Sequence, residues 1–465
     1  MFKDKTNIFF LEIQQLCHLP IKKEIIFTFQ EIFAESNGRV VSCVGEDRIS
    51  NLPEHLIDSI LERIPVQDTV RTSIISKSWR YRWTKLKAVV FDKHFSNKFA
   101  KNGAFGRNGF VRIINQVLFL HKGPILKFHL NIPNMVLDSF LEVDQWMSFL
   151  SRQGVTELVL TNLNQRYELP SYLFCFLELR KLELQNCFYK PLEFEGFLNL
   201  EELFLKDIDF GASLSGAKVN LPQLKKLSLY WCINVYNFNI KATKLQYLEV
   251  LTCPDAMLIQ LLDSPCLFEV VIILQNRIQD YEQAEKTNLA TIFSNLPTVR
   301  TFGIDSYFVK FLAAEKIPKL LPHPICSLKC LWLLFFQLGD LDLLHAALCL
   351  LRNSPNLESL HMYMQDMQVD PRVDVGPASN HLESPNCLDC TLDQLQTVEI
   401  TYLEGSKPEL LFIKLLLAHS PSLEKLTITA SGDLDAKKIL AISKDVMRFP
   451  RASPKAEVVY LNSEA

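Results

Sequence analysis

The residues of this chain that can do chemistry are its twelve cysteines and ten histidines, and their spacing decides which chemistry is open to them. Cys387 and Cys390 form a Cys-x-x-Cys pair, which is half of a common zinc site. A zinc site needs a second pair of ligands at suitable spacing, and none follows in the sequence. We therefore predict no metal and interpret the pair as part of a loop. Cys326 and Cys330 flank the start of an apolar strand and are interpreted as core residues.

The remaining candidates suggest no catalytic arrangement. The histidines are dispersed, and the local sequence shows no Ser-His-Asp or Cys-His pairing, although distant residues can still meet in a fold. Gly103, Gly106 and Gly109 are spaced three apart, but no Lys-Ser or Lys-Thr pair follows, so a flexible turn is favoured over a phosphate-binding loop. The sequence predicts neither a cofactor nor an enzyme.

Composition limits the classes of partner. The net charge of −3, from 49 basic and 52 acidic residues, gives no electrostatic footprint for nucleic acid. No apolar run reaches the roughly 18–20 residues that span a bilayer, so we expect no membrane segment. The N-terminus lacks the pattern of a signal peptide, and the cysteines lie mostly inside apolar segments. We expect free thiols and a cytoplasmic or nuclear protein.

The stretch Asp47–Trp83 predicts two or three short amphipathic helices. Asn51 with Pro53 can begin the first helix, and Pro65 can end it. So small a unit has more apolar surface than it can bury by itself. Docking on another chain and burial against the rest of this chain both remain open at this point. The apolar face of the first helix consists of Leu56, Ile57, Ile60, Leu61 and Ile64.

An internal repeat decides the fold class. The pattern L-x-x-L-x-L recurs from Val155 with spacings of 21 to 24 residues, inside the range of leucine-rich repeats. The period then loosens but continues to the pattern that begins at Leu423. We predict an α/β solenoid with a curved parallel sheet and helices on its convex side. Several copies end in a polar or thiol residue that can satisfy backbone groups where the chain leaves the strand, namely Asn186, Cys187, Cys232 and Cys253.

The repeats also predict an exposed concave face. Side chains alternate along a strand, so the residues between the repeat leucines should point away from the core. Aromatic residues ringed by charges on such a face are typical of protein interfaces. Helices or loops of neighbouring repeats can cover some of these positions instead. The candidate substrate-binding residues are Lys181, Phe204, Lys226, Tyr230, Tyr247 and Trp332.

The helical stretch Asp47–Trp83 resembles the F-box of plant F-box proteins. The similar segments are Asp47–Ser50, Leu52-Pro53, Ile60-Leu61, Ile64-Pro65, Asp68–Ser73 and Ser76–Trp83. Phe110–His121 and Trp146–Leu160 are similar to the segments that lead into the repeats of the plant F-box/FBD/LRR-repeat family. Cys387–Leu461 is similar to its FBD domain. Residues 1–46 and Ser78, which stands where Arg is common, depart from the family pattern.

The resemblance implies a domain order and a function. The order is an extension at 1–46, an F-box at 47–92, a linker at 93–109, leucine-rich repeats at 110–386 and an FBD domain at 387–465. The implied function is that of substrate receptor in an SCF-type, cullin–RING ubiquitin ligase. The alternatives are a non-degradative scaffold and a small-molecule-gated protein receptor. By match to the motif, the contacts with a Skp-type adaptor, and through it a cullin, are Leu52, Pro53, Leu56, Ile57, Ile60, Leu61, Ile64, Val70, Ile74 and Trp79.

Overall fold

The structure is a computed structural model. It describes residues 54–63, 66–71, 81–100, 103–134, 141–189, 196–211, 219–235, 240–253, 264–274, 289–312, 317–364, 375–385, 387–432 and 434–461. The chain divides into two units, Met1–Leu56 and Ile57–Ala465, and almost all described residues belong to the second.

A parallel sheet of fourteen strands runs through the described part of the second unit. Its strands follow one another in sequence order, and each pairs in parallel with its neighbours. One strand per repeat, laid beside the previous one, is the architecture of a solenoid, so the predicted fold class is confirmed. The strands are β1 Ala88–Phe91, β2 Lys127–Ile132, β3 Glu157–Asn162, β4 Lys181–Gln185, β5 Glu202–Lys206, β6 Lys226–Tyr230, β7 Tyr247–Leu251, β8 Glu269–Ile273, β9 Thr301–Asp305, β10 Cys330–Leu334, β11 Ser359–Tyr363, β12 Thr397–Leu403, β13 Lys425–Ala430 and β14 Glu457–Leu461.

Helices precede the sheet, and further helices form many of the connections between its strands. Asp340 caps the helix Leu341–Arg352, because its side chain accepts hydrogen bonds from the N–H groups of Asp342 and Leu343. A capping box of Ser406 and Glu409 begins a later one. The helices are α1 Glu54–Leu61, α2 Val66–Arg71, α3 Lys93–Asn97, α4 Gly103–Leu120, α5 Leu141–Leu150, α6 Leu289–Asn295, α7 Ser306–Leu312, α8 Leu341–Arg352, α9 Gly376–Glu383, α10 Lys407–His419 and α11 Ala436–Arg448.

The repeat leucines stack in register and form the core. Leu182, Leu203, Leu227 and Leu248 lie directly opposite one another on β4–β7, and all four are buried. Burying a leucine side chain contributes about 1.5–3 kcal/mol, and each repeat supplies two such positions on its strand. The sheet therefore draws its stability from contacts between neighbouring repeats.

The predicted role of the thiol and amide residues at the strand exits is confirmed. The Cys232 thiol donates to the carbonyl of Leu205 at 3.5 Å, and the Cys253 thiol donates to that of Leu229 at 3.6 Å. The Asn186 side-chain amide donates to the Asn164 carbonyl at 2.6 Å. These side chains satisfy backbone acceptors of the turns and of the preceding strand.

The chain leaves four consecutive strands through a left-handed residue. The φ angles there lie between +54° and +57°, a conformation that side chains other than those of Asn, Asp and Gly rarely adopt. Each of these residues keeps its N–H bonded to the carbonyl at the end of the next strand, at 2.6 to 2.9 Å, which offsets the strain. The four residues are Asn186, Asp207, Trp231 and Thr252.

The prediction of a linker at residues 93–109 is wrong. Lys93–Asn97 forms α3, and the rest of the segment leads into α4, Gly103–Leu120. Asp92 caps α3 by accepting from the Phe95 N–H at 2.8 Å. The glycines suggested a flexible turn, but Gly106 and Gly109 lie within a regular helix.

Aromatic packing explains why this segment folds. The ring of Phe95 lies 5.1 Å from that of Phe91 on β1 and 5.7 Å from that of Phe110 on α4. Phe99 packs on Phe95 and Phe110 in the same cluster. A Cβ atom at Gly109 would lie 3.3 Å from Phe99, so the glycine allows α4 to approach that ring closely.

The described part of the segment predicted as an FBD domain, residues 387–465, continues the same sheet. Strands β12, β13 and β14 follow β11 in parallel pairing, with one register shift between Thr401 and Leu403 at the end of β12. Strands and helices alternate through this segment, with α10 between β12 and β13 and α11 between β13 and β14, so the segment extends the solenoid.

Leu227→Ala tests the role of the stacked leucines. We expect the variant to lose about 2–5 kcal/mol of unfolding free energy, because Leu227 is fully buried and its removal leaves a cavity. The matched control, Lys226→Ala on the same strand, should change it by less than about 0.5 kcal/mol. Urea denaturation followed by circular dichroism measures both. Equal losses in the two variants would contradict the assignment of the core.

Candidate functional site

The described part of the F-box-like stretch is built onto the start of the sheet. Helix α2 contacts β1 and the 3₁₀ helix Arg82–Lys85. The Thr69 hydroxyl, fully buried, donates to the Leu61 carbonyl at 3.4 Å and ties α2 to the end of α1. Arg82 reaches back to Asp58 on α1 with an N–O distance of 3.1 Å. These contacts hold the helices of residues 57–71 to the repeats.

The wide apolar face of α1 divides into two stripes. Ile57 and Leu61, four residues apart, are each 1% exposed and lie in the interior of the chain. Leu56, on the neighbouring stripe, is 43% exposed, and Val70 on α2 is half-buried. Ile57 and Leu61 are therefore placed to support the helices from within, and Leu56 remains accessible at the surface.

Most of the other predicted adaptor contacts are not among the residues that the structure describes. Leu52, Pro53, Ile64, Ile74 and Trp79 lie outside the described residues, as does the side chain of Ile60. The prediction that Ile57 and Leu61 contact an adaptor is wrong in this structure, because the chain itself buries both side chains. Contact of the other members of the set with an adaptor stays a prediction.

The concave face of the sheet begins with a ladder of alternating charge. The residues at the first strand position across β2–β6 are Lys127, Glu157, Lys181, Glu202 and Lys226, in register. The Lys127 ammonium lies 3.1 Å from the Glu157 carboxylate, and that of Lys181 lies 3.8 Å from Glu157 and 4.0 Å from Glu202. The ladder therefore offers a partner charges of both signs rather than a basic or acidic patch.

Two members of this ladder have shifted pKa values. Burial acts to raise the pKa of Glu157, but hydrogen bonds from His129 and Lys127 outweigh it and lower the pKa to about 2. Burial acts to lower the pKa of Lys181, but its hydrogen bond to Glu183 and the charges of Glu157 and Glu202 raise it. Both side chains are held charged, so Lys181 reaches a partner only by exchanging its present ion pairs.

The structure divides the predicted substrate-binding aromatics. Tyr247 is 39% exposed, and Phe204 and Trp332 are half-buried, as are Lys181 and Lys226. The Tyr247 ring lies 6.0 Å from that of Phe268, over which the Arg300 guanidinium is placed at 5.0 Å. An exposed aromatic supported by a second ring and a cation is preorganised for binding a partner.

The prediction that Tyr230 is exposed on this face is wrong. Its side chain is 1% exposed and packs edge-on against Phe204, with ring centroids 4.9 Å apart. Trp231, in the left-handed exit turn, lies on its other side at 6.3 Å, and the Lys206 ammonium covers the Trp231 ring at 4.7 Å. Alternation along the strand correctly predicts that Tyr230 points away from the core leucines. It does not predict that Phe204 and the exit turn at Trp231 bury the side chain.

A cluster on β10–β12 was missed by the sequence analysis. Trp332, His361 and Glu399 lie directly opposite one another in the sheet, and Cys330 begins the same strand as Trp332. The interpretation of Cys326 and Cys330 as core residues is wrong, because Cys326 is exposed and Cys330 is half-buried on the concave face. A signal existed: these residues occupy outward positions of successive repeats, and aligning the repeats brings them together.

Hydrogen bonds join the members of this cluster. The Trp332 indole N–H donates to the Cys330 sulfur at 2.9 Å, and His361 Nδ1 lies 3.1 Å from a Glu399 oxygen. Burial lowers the pKa of His361, but its hydrogen bonds to Cys330 and Glu399 outweigh this and raise the pKa to about 9. The hydrogen bond with His361 lowers the pKa of Glu399. The pair is therefore an imidazolium and a carboxylate at neutral pH.

The remaining candidates for chemistry give no site. Cys387 is buried, and both it and Cys390 are free thiols. Within the described residues, no three or more His, Cys, Asp and Glu side chains come together as ligands for a metal ion. None of the helices that the structure describes combines the length and apolar character needed to cross a bilayer.

The raised pKa of His361 predicts a pH-dependent contribution to stability. Since this value lies above the ordinary 6.5, the contribution is complete below about pH 6.5 and is lost as the pH rises through 9. With a discount for the partial exposure of the ring, His361→Gln should cost about 1–2 kcal/mol of unfolding free energy at pH 6 and almost nothing at pH 9.5. Urea titrations at both pH values measure this. The cost of Ser359→Ala, a non-ionising control on β11, should not change with pH, and a His361→Gln cost equally independent of pH would contradict the ion pair.

Two family models match this chain. The F-box domain model matches residues 49–89, and a leucine-rich-repeat model described as "At1g61320/AtMIF1, LRR domain" matches residues 117–452. The second match extends through β12 and β13, in agreement with their place in the same sheet.

Curated relatives from Arabidopsis thaliana align with most of the chain. F-box/FBD/LRR-repeat protein At1g13570 is 32% identical over 418 residues, which cover 89% of this chain and 98% of that protein. FBD-associated F-box protein At5g38590 is 26% identical over 83% of this chain and 94% of its own length. FBD-associated F-box protein At5g56370 is 26% identical over 89% of this chain and 100% of its own length. With an F-box, a continuous leucine-rich-repeat sheet and this coverage, the chain belongs to the plant F-box/FBD/LRR-repeat protein family.

Proposed function

We propose that this protein is the substrate receptor of an SCF-type ubiquitin ligase. Its F-box binds a Skp-type adaptor, and through it a cullin, while the concave face of the repeats holds the protein to be ubiquitinated. The observation that carries the proposal is the order of the two matched domains, an F-box at 49–89 followed by repeats at 117–452. The chain acts without catalysis of its own, in the cytoplasm or the nucleus.

The structure supports the adaptor side of this proposal through α1. Ile57 and Leu61 anchor the helix in the chain, while Leu56 is left 43% exposed. An apolar side chain on a helix held from behind is a suitable anchor, because binding then costs little ordering of the backbone. Among the described side chains of this helix, Ile57 and Leu61 serve the interior of the chain and Leu56 is accessible, which supports docking on another chain.

The contact between the described F-box helices and the sheet supports the proposed role in ubiquitin transfer. Helix α2 contacts β1, β1 pairs with β2, α3 packs on β1 through Phe95, and α4 packs on α3 through Phe110. The segment after the F-box is thus helical and packed, not a flexible linker. A rigid connection fixes the direction in which the repeats present a bound protein, which raises its effective concentration near a ubiquitin carrier.

The concave face supports the substrate side. Tyr247 and Trp332 offer aromatic anchors, and Lys226 and the ladder around Lys181 offer charges of both signs. Charged and polar groups of a protein surface can exchange with such ion pairs at small cost, because exposed pairs contribute only about 0.2–1 kcal/mol each. We infer a folded or extended protein substrate with mixed charge rather than a nucleic acid.

Leu56→Asp tests the adaptor contact. We expect it to weaken binding of the purified chain to a Skp-type adaptor at least tenfold, because a charge would replace the apolar anchor. The thermal unfolding midpoint should stay within about 2 °C of wild type, since Leu56 is exposed. Biolayer interferometry measures the affinity.

Glu62→Ala is the matched control for this experiment. Glu62 is exposed at the end of the same helix and should bind the adaptor like the wild-type chain. If Leu56→Asp also binds like wild type, Leu56 is not an adaptor contact. If the wild-type chain itself does not bind the adaptor, the proposed function is wrong.

A further inference from the structure

Four side chains on the concave face form a cluster that the proposed function does not require. Cys330 and Trp332 come from β10, His361 from β11 and Glu399 from β12. The parallel register brings them together although they are separated by up to 69 positions in the chain. Since each projects from an outward position of its strand, the cluster lies on the surface of the sheet rather than in the core.

The sulfur of Cys330 is held by two hydrogen-bonding groups. The Trp332 indole N–H donates to it at 2.9 Å, and the His361 side chain hydrogen-bonds to it as well. Glu399 accepts from His361 Nδ1 at 3.1 Å and thereby orients the ring. The Trp332 and His361 rings lie 5.5 Å apart at an angle of 57° and form aromatic walls beside the sulfur.

This arrangement is suited to activate a thiol. The thiolate is the nucleophilic form of cysteine, and a neighbouring imidazolium and N–H donors stabilise it. A sulfur, an imidazole and an orienting carboxylate are also the elements of an activated nucleophile. The raised pKa of His361 means that the ring carries a proton at neutral pH, so a proton donor stands beside the sulfur.

We propose that Cys330 is a covalent modification site for small α,β-unsaturated carbonyl compounds. The thiolate adds to the β-carbon of the alkene, and the carbon–sulfur bond forms as the π electrons move into an enolate. His361 gives its proton to the α-carbon, which leaves a thioether and a neutral imidazole. The step needs no oxidant and no leaving group. It needs no partner protein either, so it stands independently of the proposed function.

Exposure alone does not select Cys330, because Cys175 and Cys266 are exposed and Cys390 is half-buried, so the predicted selectivity rests on the neighbouring Trp332 and His361. Cys330 is half-buried, whereas the thiols of a second group are shielded by the core. Cys326, four residues earlier, is exposed and offers a comparison within the same molecule. The shielded cysteines are Cys187, Cys232, Cys253, Cys349 and Cys387.

Acrylamide, a simple member of this class, is the probe for the test. The folded full-length chain is treated at pH 7, and adducts are quantified over time by peptide mass spectrometry. Trypsin cleaves after Lys329 and therefore separates Cys326 from Cys330. Fragment ions distinguish Cys330 from Cys349 on the second peptide. We expect Cys330 to react at least tenfold faster than Cys326.

His361→Gln identifies the source of the reactivity. The variant should lower the rate at Cys330 to within threefold of the rate at Cys326 and leave the latter unchanged, which also reports an intact fold. A Cys330 rate no higher than that of Cys326 in the wild-type chain would overturn the proposal, and this comparison needs no variant. An unchanged Cys330 rate in a folded His361→Gln chain would overturn it equally.

Discussion

The structure depends on the parallel register of neighbouring strands. Leucines at the same position of β4–β7 meet across the sheet, so each of these strands buries its leucines because it pairs with its neighbours in this register. A one-residue slip would turn every buried leucine to the solvent. The same register sets the concave face, because the residues between the leucines then stack into ladders. Core and surface are thus two consequences of one constraint.

That constraint also explains which features were predictable from the sequence. The leucine period predicts the sheet, and the thiols of Cys232 and Cys253 predict the way in which the chain leaves its strands, because both depend on neighbours within one or two repeats. The charge ladder around Lys181 follows from alternation alone. The features that the sequence predicts are therefore those that depend on residues in the same repeat or in a neighbouring one.

Features that depend on contacts between particular side chains were not predictable. Tyr230 points outward, as alternation requires, yet Phe204 and Trp231 bury it. The glycines before Phe110 suggested a turn, yet Gly109 serves the close approach of a helix to Phe99. His361 and Glu399 stand 38 positions apart and meet only because two neighbouring repeats align. In α1, the sequence showed one apolar face and could not say that the chain itself covers the Ile57 stripe.

The proposed function requires that a protein held on the concave face receives ubiquitin through the adaptor bound at the F-box. Its most direct test is a reconstituted transfer reaction with the purified chain, a Skp-type adaptor, a cullin–RING module, a charged ubiquitin carrier and a protein that co-purifies with the receptor. The account predicts ubiquitin on that protein with wild-type receptor and its loss with Tyr247→Ala, while Tyr172→Ala, an exposed tyrosine away from the large sheet, retains transfer. Stable binding of the protein without ubiquitin transfer would contradict the claim.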